Sequence, residues 1–149
     1  MRIGVDLLRL GELDRLLARP WFRSFVYADA ESAIAAGFGP DRAREFLAGR
    51  FAAKEAVLKA LGTGMTGGVR LCQVAVLRTD EGAPLVRLSG AAADRAAAAG
   101  IVEIRVSLTH KGDLVFAVAL ALEEDGRGGR HIGPGDVLAA LERGRAEPR

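Results

Sequence analysis

Phe46-Leu47-Ala48-Gly49-Arg50-Phe51-Ala52-Ala53-Lys54-Glu55-Ala56-Val57-Leu58-Lys59-Ala60-Leu61-Gly62-Thr63-Gly64 reads as one helix that carries a Lys-Glu-x-x-x-Lys set among apolar residues and breaks into a glycine loop. Glu55 and Lys59 are four apart and share a helical face, with Leu58 beside them. A carboxylate and an ammonium held together next to a flexible loop are what a metal-bound phosphate ester requires. The plainer reading is an i,i+4 ion pair on a solvated helix, worth a few tenths of a kcal/mol.

Working outward, Asp41 is placed to cap this helix, and Phe46, Leu47, Phe51, Leu58 and Leu61 supply its buried stripe. Upstream, residues 2–8 read as a buried strand and residues 11–18 as a short amphipathic helix ending before Arg19-Pro20. Trp21, Phe22, Phe25 and Val26 predict a loop pinned to something apolar. Asp29 predicts the N-cap of a helix over Ala30 to Ala36, stopped by Gly37. Downstream, Gly62 to Gly68 is a loop, and Leu71 to Leu77 is a strand turning at Asp80-Glu81-Gly82-Ala83 into Leu85 to Leu88. Ala91 to Ala99 is a short helix stopped by Gly100. Glu103 to Thr109 and Leu114 to Leu122 form a second hairpin around Lys111-Gly112-Asp113. The expected class is α+β, with antiparallel hairpins packed on one long central helix.

The chain has 149 residues, enough for one core and one domain, expected over residues 1–122. Residues 123–149 read as a polar, glycine-rich extension, with one possible short helix over 136–144 presenting Val137, Leu138 and Leu141. The net charge of +2 comes from 21 basic residues interleaved with 19 acidic ones, which gives no footprint for nucleic acid. Cys72 is the only cysteine, so an intrachain disulfide and a thiolate metal cluster are both excluded. No stretch is apolar enough to span a membrane, and no signal sequence precedes the first strand, so the cytoplasm is the expected compartment.

Asp6 stands alone in the apolar run Ile3-Gly4-Val5-Asp6-Leu7-Leu8, where burying it as an ion requires a cation or several hydrogen bonds. The alternative places it on the solvent face of a half-exposed strand. Arg50 and Lys54 are like charges four apart, which points either to an anion between them or to a structural partner such as Glu45 or another acid. The loop Gly62 to Gly68 is not a P-loop, because it lacks the Gly-Lys-Ser/Thr ending. Cys72 sits in an apolar run with nothing to activate it, and no Gly-x-Ser-x-Gly elbow is present, so a covalent protein nucleophile is not expected.

Three stretches carry a resemblance: Ile3-Gly4-Val5-Asp6, then Gly49-Arg50-Phe51-Ala52-Ala53-Lys54-Glu55-Ala56 continuing to Gly62-Thr63-Gly64, and finally Val106-Ser107-Leu108-Thr109-His110. Together and in this order they resemble the holo-acyl-carrier-protein synthase group of 4′-phosphopantetheinyl transferases, from about Arg2 to Leu122. The resemblance implies Mg²⁺-dependent transfer of 4′-phosphopantetheine from coenzyme A to a serine of an acyl or peptidyl carrier protein, releasing adenosine 3′,5′-bisphosphate. It implies Asp6 and Glu55 as Mg²⁺ ligands, a count that suits Mg²⁺ and not zinc. Glu55 and Lys59 become the catalytic pair, the serine proton going to Glu55 or to a water on the ion. Arg42, Arg50, Lys59, Gly62, Thr63, Gly64 and His110 become coenzyme A contacts. Members of this size are homotrimers with active sites at subunit contacts.

The carrier-facing residues depart from the family pattern. Arg9 stands where an acid is usual, and Lys111 where Thr is common. Glu12, Trp21 and Phe25 stand in what look like arginine positions. Arg15, Arg19 and Arg23 lie nearby, so Arg15, Arg19, Trp21, Arg23 and Phe25 form the expected docking set, suited to a dedicated carrier of a polyketide or peptide assembly line. Two other readings are an inactive coenzyme A or nucleotide-binding module, and a scaffold on which these charges are decoration. Asp6 lying far from Glu55 in space would favour the scaffold.

Overall fold

A computed structural model describes residues 1–124. The extension expected over 123–149, with its short helix over 136–144, lies outside the described residues from 125 onward. In chain order the elements are β1 (Arg2–Arg9), a 3₁₀ turn at Leu10–Leu13, α1 (Asp14–Leu17), α2 (Pro20–Val26), α3 (Asp29–Ala36) and α4 (Pro40–Leu61). A second 3₁₀ turn at Leu71–Gln73 leads to β2 (Val74–Arg78), β3 (Pro84–Leu88), α5 (Gly90–Ala98), β4 (Ile101–Lys111) and β5 (Leu114–Glu123). β1, β5 and β4 form one antiparallel sheet in that order, and β2 pairs with β3 in a second. The class is α+β.

The 22-residue α4 starts at Pro40, whose missing N–H costs nothing at the first helical position. It stops at Gly62, which takes the left-handed conformation at φ 69° that other residues adopt reluctantly. Ala48, Ala52, Ala53, Ala56 and Ala60 of α4 are buried, and so are Ala117, Ala119 and Ala121 of β5, a strand on which the helix packs. Small side chains on both surfaces let helix and sheet approach closely. Gly4 takes this to its limit. A Cβ there would lie 1.9 Å from the Ala56 carbonyl oxygen and 2.7 Å from the Ala60 nitrogen. Gly4→Ala must therefore push β1 off α4, and it is expected to destabilise by about 3 kcal/mol, the upper end of ordinary overpacking, or more. A urea midpoint equal to that of the wild type would show that β1 and α4 are not in close contact.

A buried ion pair joins α3, α4 and the start of β2. Lys54 Nζ lies 2.7 Å from Glu31 Oε2, and neither side chain is exposed. The ammonium also donates to the Leu71 and Val74 carbonyls. Glu31 accepts the Ala28 and Val76 N–H groups, each at 2.9 Å. Of the alternatives for Lys54, the structure chooses a structural partner, and that partner is Glu31, not Glu45.

Several local expectations change. Trp21 to Val26 is the helix α2 and not a loop, started by Pro20; Phe22 and Val26 are buried while Trp21 and Phe25 face out. Asp29 and Asp41 are the first and second residues of their helices, and Ala28 and Gly39 precede those helices as caps. The acids still favour the helix dipole from the first turn. Leu71 to Gln73 forms a 3₁₀ turn, so β2 starts only at Val74. Phe46 and Phe51 are half-buried, because they flank the core instead of filling it. The strand expected to be buried has one open face: Ile3, Val5 and Leu7 are 59, 48 and 61% exposed.

Candidate active site

Asp6 follows Gly4 by two residues, so it shares Gly4's face of β1 and is turned toward α4. The solvent-face alternative is thereby removed; the carboxylate is 15% exposed. Lys59 Nζ donates to Asp6 Oδ1 at 2.9 Å and to the Val5 carbonyl at 2.8 Å. The ion pair is thus Lys59 with Asp6 across the β1–α4 seam, and not the i,i+4 pair within the helix. Glu55 lies half-buried one turn before Lys59. Burial, and next the Asp6 negative charge, push its carboxyl above the usual range, while Lys59 partly offsets them. Asp6, Glu55 and Lys59 therefore form one coupled cluster.

Two carboxylates, one of them paired with the Lys59 ammonium and the other feeling both charges, make an anionic notch. Among the described residues no three His, Cys, Asp or Glu side chains come together as a metal cage. A cation held here has two carboxylates and takes its other ligands from solvent or from substrate oxygens. That donor set, all oxygen with open positions, fits Mg²⁺.

Arg42, Arg50 and His110 lie elsewhere. They line a cavity of about 970 Å³ between α3, α4, the β2–β3 hairpin and the end of β4, and none of Asp6, Glu55 and Lys59 is among its lining residues. Arg50 and Glu55 are five residues apart, hence about 140° apart around the helix axis. Arg50 is 4% exposed and lies over the Phe46 ring at 4.4 Å. Its Nε and Nη2 have no hydrogen-bond partner among the described residues. Burial, and then the charge of Arg78, push its pKa below the usual guanidinium value. Arg42 stacks on Phe38, also at 4.4 Å. A buried guanidinium with unused donors, opening into a cavity, is an anion-binding arrangement.

The glycine loop forms a third locus. Gly62 and Thr63 line a pocket of about 520 Å³ with Thr66, Gly67 and Arg95, whereas Gly64 lines neither cavity. The sequence grouped these coenzyme A contacts as one set; a single chain distributes them over three places.

In the expected docking set, Arg15, Arg19, Trp21 and Phe25 are exposed, and Arg23 donates to the Leu17 carbonyl at 2.8 Å. The departures Arg9 and Glu12 have local partners. Arg9 pairs with Asp113 of the β4–β5 turn at 3.0 Å, and its N–H donates to Glu12, which caps the 3₁₀ turn. Sequence reasoning missed Glu31, Arg78 and the open face of β1. Only the last left a signal: Ile3, Val5 and Leu7 put apolar side chains on one face of β1 while Gly4 and Leu8 occupy the other, the pattern of a strand with two apolar faces.

Residues 2–119 match the family described as the 4′-phosphopantetheinyl transferase superfamily. The holo-[acyl-carrier-protein] synthase of Alkalilimnicola ehrlichii is 40% identical over 124 residues, covering 83% of this chain and 97% of its own. Among solved structures, the holo-[acyl-carrier-protein] synthase of Neisseria meningitidis superposes with a TM-score of 0.74 at 28% identity, covering 82% of this chain and 98% of that one. The Bacillus anthracis holo-(acyl-carrier-protein) synthase in complex with coenzyme A (3′,5′-ADP) gives 0.69 at 28% identity, covering 83 and 96%. With motifs, fold and relatives in agreement over most of its length, the chain belongs to the 4′-phosphopantetheinyl transferase superfamily.

Proposed function

We propose that this protein transfers the 4′-phosphopantetheine of coenzyme A to a serine hydroxyl of a carrier protein, giving the holo-carrier and adenosine 3′,5′-bisphosphate. The observation that carries the reading is the Asp6–Glu55–Lys59 cluster at the β1–α4 seam. Attack of an alcohol on a pyrophosphate phosphorus calls for alignment and charge neutralisation, not a protein nucleophile. Asp6 and Glu55 would hold Mg²⁺, which when bound clamps pyrophosphate oxygens and stabilises the leaving group. Lys59, hydrogen-bonded to Asp6, adds positive charge on the leaving side. Glu55, with its raised proton affinity, is the base we assign to the serine proton. Arg50 and Arg42, with His110, hold the nucleotide end, and Gly62, Thr63 and Gly64 offer backbone close to Lys59. The compartment this implies is the cytoplasm, where coenzyme A and carriers meet; no described helix is long and apolar enough to cross a membrane.

The test is release of adenosine 3′,5′-bisphosphate from coenzyme A in the presence of an apo-carrier and Mg²⁺. Release is expected only when the carrier keeps its acceptor serine. Hydrolysis of coenzyme A without a carrier, or no product with any carrier, would overturn the reading.

We also propose a homotrimer whose sites lie between copies. Ile3, Val5 and Leu7 of β1 stand opposite Leu120, Val118 and Phe116 of β5 on the outer sheet face, giving a two-strand apolar patch. Such a patch calls for a partner, and a second copy can cover it while bringing its Arg50 cavity to the Asp6 notch. Asp6→Ala and Arg50→Ala chains, each inactive alone, are then expected to regain activity when mixed after dissociation, because about a quarter of randomly assorted sites take both intact halves. Mixing with no gain would place each whole site in one chain. For the carrier, exposed Trp21 and Phe25 on α2 support an apolar contact beside Arg15 and Arg19, which suits a dedicated carrier over a strongly acidic one.

A further inference from the structure

The loop that leaves α4 after Lys59 is made to present backbone. Gly62, Gly64, Gly67 and Gly68 all have positive φ, between 57° and 79°. A Cβ at Gly64 or Gly67 would meet nothing within 4 Å, so crowding does not call for glycine at either place; backbone direction does. The N–H groups of Gly64 to Gly68 donate to no protein group among the described residues. Free N–H groups on turns of this kind are the donors from which backbone anion sites are made. Asp94 and Arg95 of α5 line the same pocket, one charge of each sign, which leaves the backbone donors to decide what binds.

A side-chain hydrogen bond holds the loop to itself. Thr66 Oγ1 donates to the Thr63 carbonyl at 2.7 Å, and the Thr63 hydroxyl lies 3.4 Å from the same oxygen. Thr66 is exposed, so its hydroxyl serves the loop and not the core. A trans peptide is planar, with its C=O and N–H on opposite sides. Fixing the Thr63 carbonyl on Thr66 therefore fixes the Gly64 N–H in the other direction, away from Thr66. Without that bond the peptide turns easily, because a glycine follows it.

We propose that Thr66 is a positioning residue for the transfer: its hydroxyl locks the Thr63–Gly64 peptide, so that the Gly64 N–H is already aimed at a substrate phosphate oxygen before coenzyme A arrives. The proposal rests on the transferase reading above. Thr66 acts through the Thr63 carbonyl, and what it supplies is order in a glycine loop that the substrate would otherwise have to order at its own cost in affinity.

The experiment compares the wild type with Thr66→Val, which keeps the shape and removes the hydroxyl, and with Thr66→Ser, which keeps the hydroxyl. It measures calorimetric binding of coenzyme A with Mg²⁺ and no carrier, KM and kcat with a carrier, and deuterium exchange of the peptide spanning residues 62–68. Thr66→Val is expected to raise the Kd and KM for coenzyme A about tenfold, the worth of one hydrogen bond, with kcat little changed and Tm at the wild-type value. Thr66→Ser should bind as the wild type does. Coenzyme A should slow exchange in the loop peptide of the wild type and of Thr66→Ser, and much less in Thr66→Val. Wild-type affinity and loop protection in Thr66→Val, or a Thr66→Ser protein as weak as Thr66→Val, would overturn the proposal and leave the transferase reading standing. A wild type that binds no coenzyme A and transfers nothing defeats both.

Discussion

Asp6→Ala and Glu55→Ala are each expected to lower phosphopantetheine transfer by about a thousandfold or more, since each removes half of the carboxylate set on which charge neutralisation depends. The circular dichroism spectrum should not change, because neither carboxylate belongs to the apolar core. EDTA should reproduce the loss in the wild type, and Mg²⁺ or Mn²⁺ should reverse it. Full activity in chelator would remove the metal assignment. The same carboxylate carries a stability consequence of opposite sign. Because burial and Asp6 raise the Glu55 pKa, the folded chain holds the proton to higher pH than the unfolded chain does. Stability contributed at this group therefore falls as pH rises from the ordinary glutamate range through the raised value, and stays lower above it. Glu55→Gln is expected to melt at a higher temperature than the wild type at neutral pH without divalent ions, and the difference should vanish in acid. Added Mg²⁺ should raise the wild-type Tm and leave the variant unmoved. A Glu55→Gln protein less stable than the wild type at neutral pH would show that the carboxylate is held by favourable partners, against the arrangement described.

Glu31→Ala is expected to cost about 3–5 kcal/mol, which is much of the total stability of a domain this size. The reason is what remains behind. Lys54 is fully buried, burial already pushes its ammonium below the usual lysine range, and Glu31 is the group that opposes this. Removing Glu31 also strips the acceptor from the Ala28 and Val76 N–H groups. Glu31→Gln keeps acceptor oxygens and should lose less. The double change Glu31→Leu with Lys54→Met should recover part of the loss, because it removes both buried charges at once. Urea midpoints of the four proteins check the ordering. A Glu31→Ala midpoint matching the wild type would mean that Lys54 finds another counter-charge.

What could be read from the chain was local or periodic. Gly62 marked the end of α4, whereas its start was read late, with Asp41 as the cap in place of Gly39 before Pro40; the unusual placement of Asp6 in an apolar strand already pointed to a charged partner. Asp6, Glu55 and Lys59 were separable as candidates, yet their meeting depends on Gly4 seating β1 against Ala56 and Ala60, a contact that no spacing encodes. Pro20 was read as an end to the preceding helix, although it equally starts one; the four-residue spacing of Phe22 and Val26 then falls on a helix face. Glu31 and Lys54 belong to different helices, and such a pairing leaves no periodic trace. The isolation of Arg50 is likewise invisible in sequence, because it consists of missing partners.

The most direct measurement of the central claim is Mn²⁺ binding to the full chain in the presence of coenzyme A and without carrier, followed by the electron paramagnetic resonance signal of the free ion and corrected for coenzyme A alone. The account predicts one Mn²⁺ per wild-type chain, with binding lost in both Asp6→Ala and Glu55→Ala. Undiminished binding in either variant, or none in the wild type, would contradict a shared cation site at the β1–α4 seam.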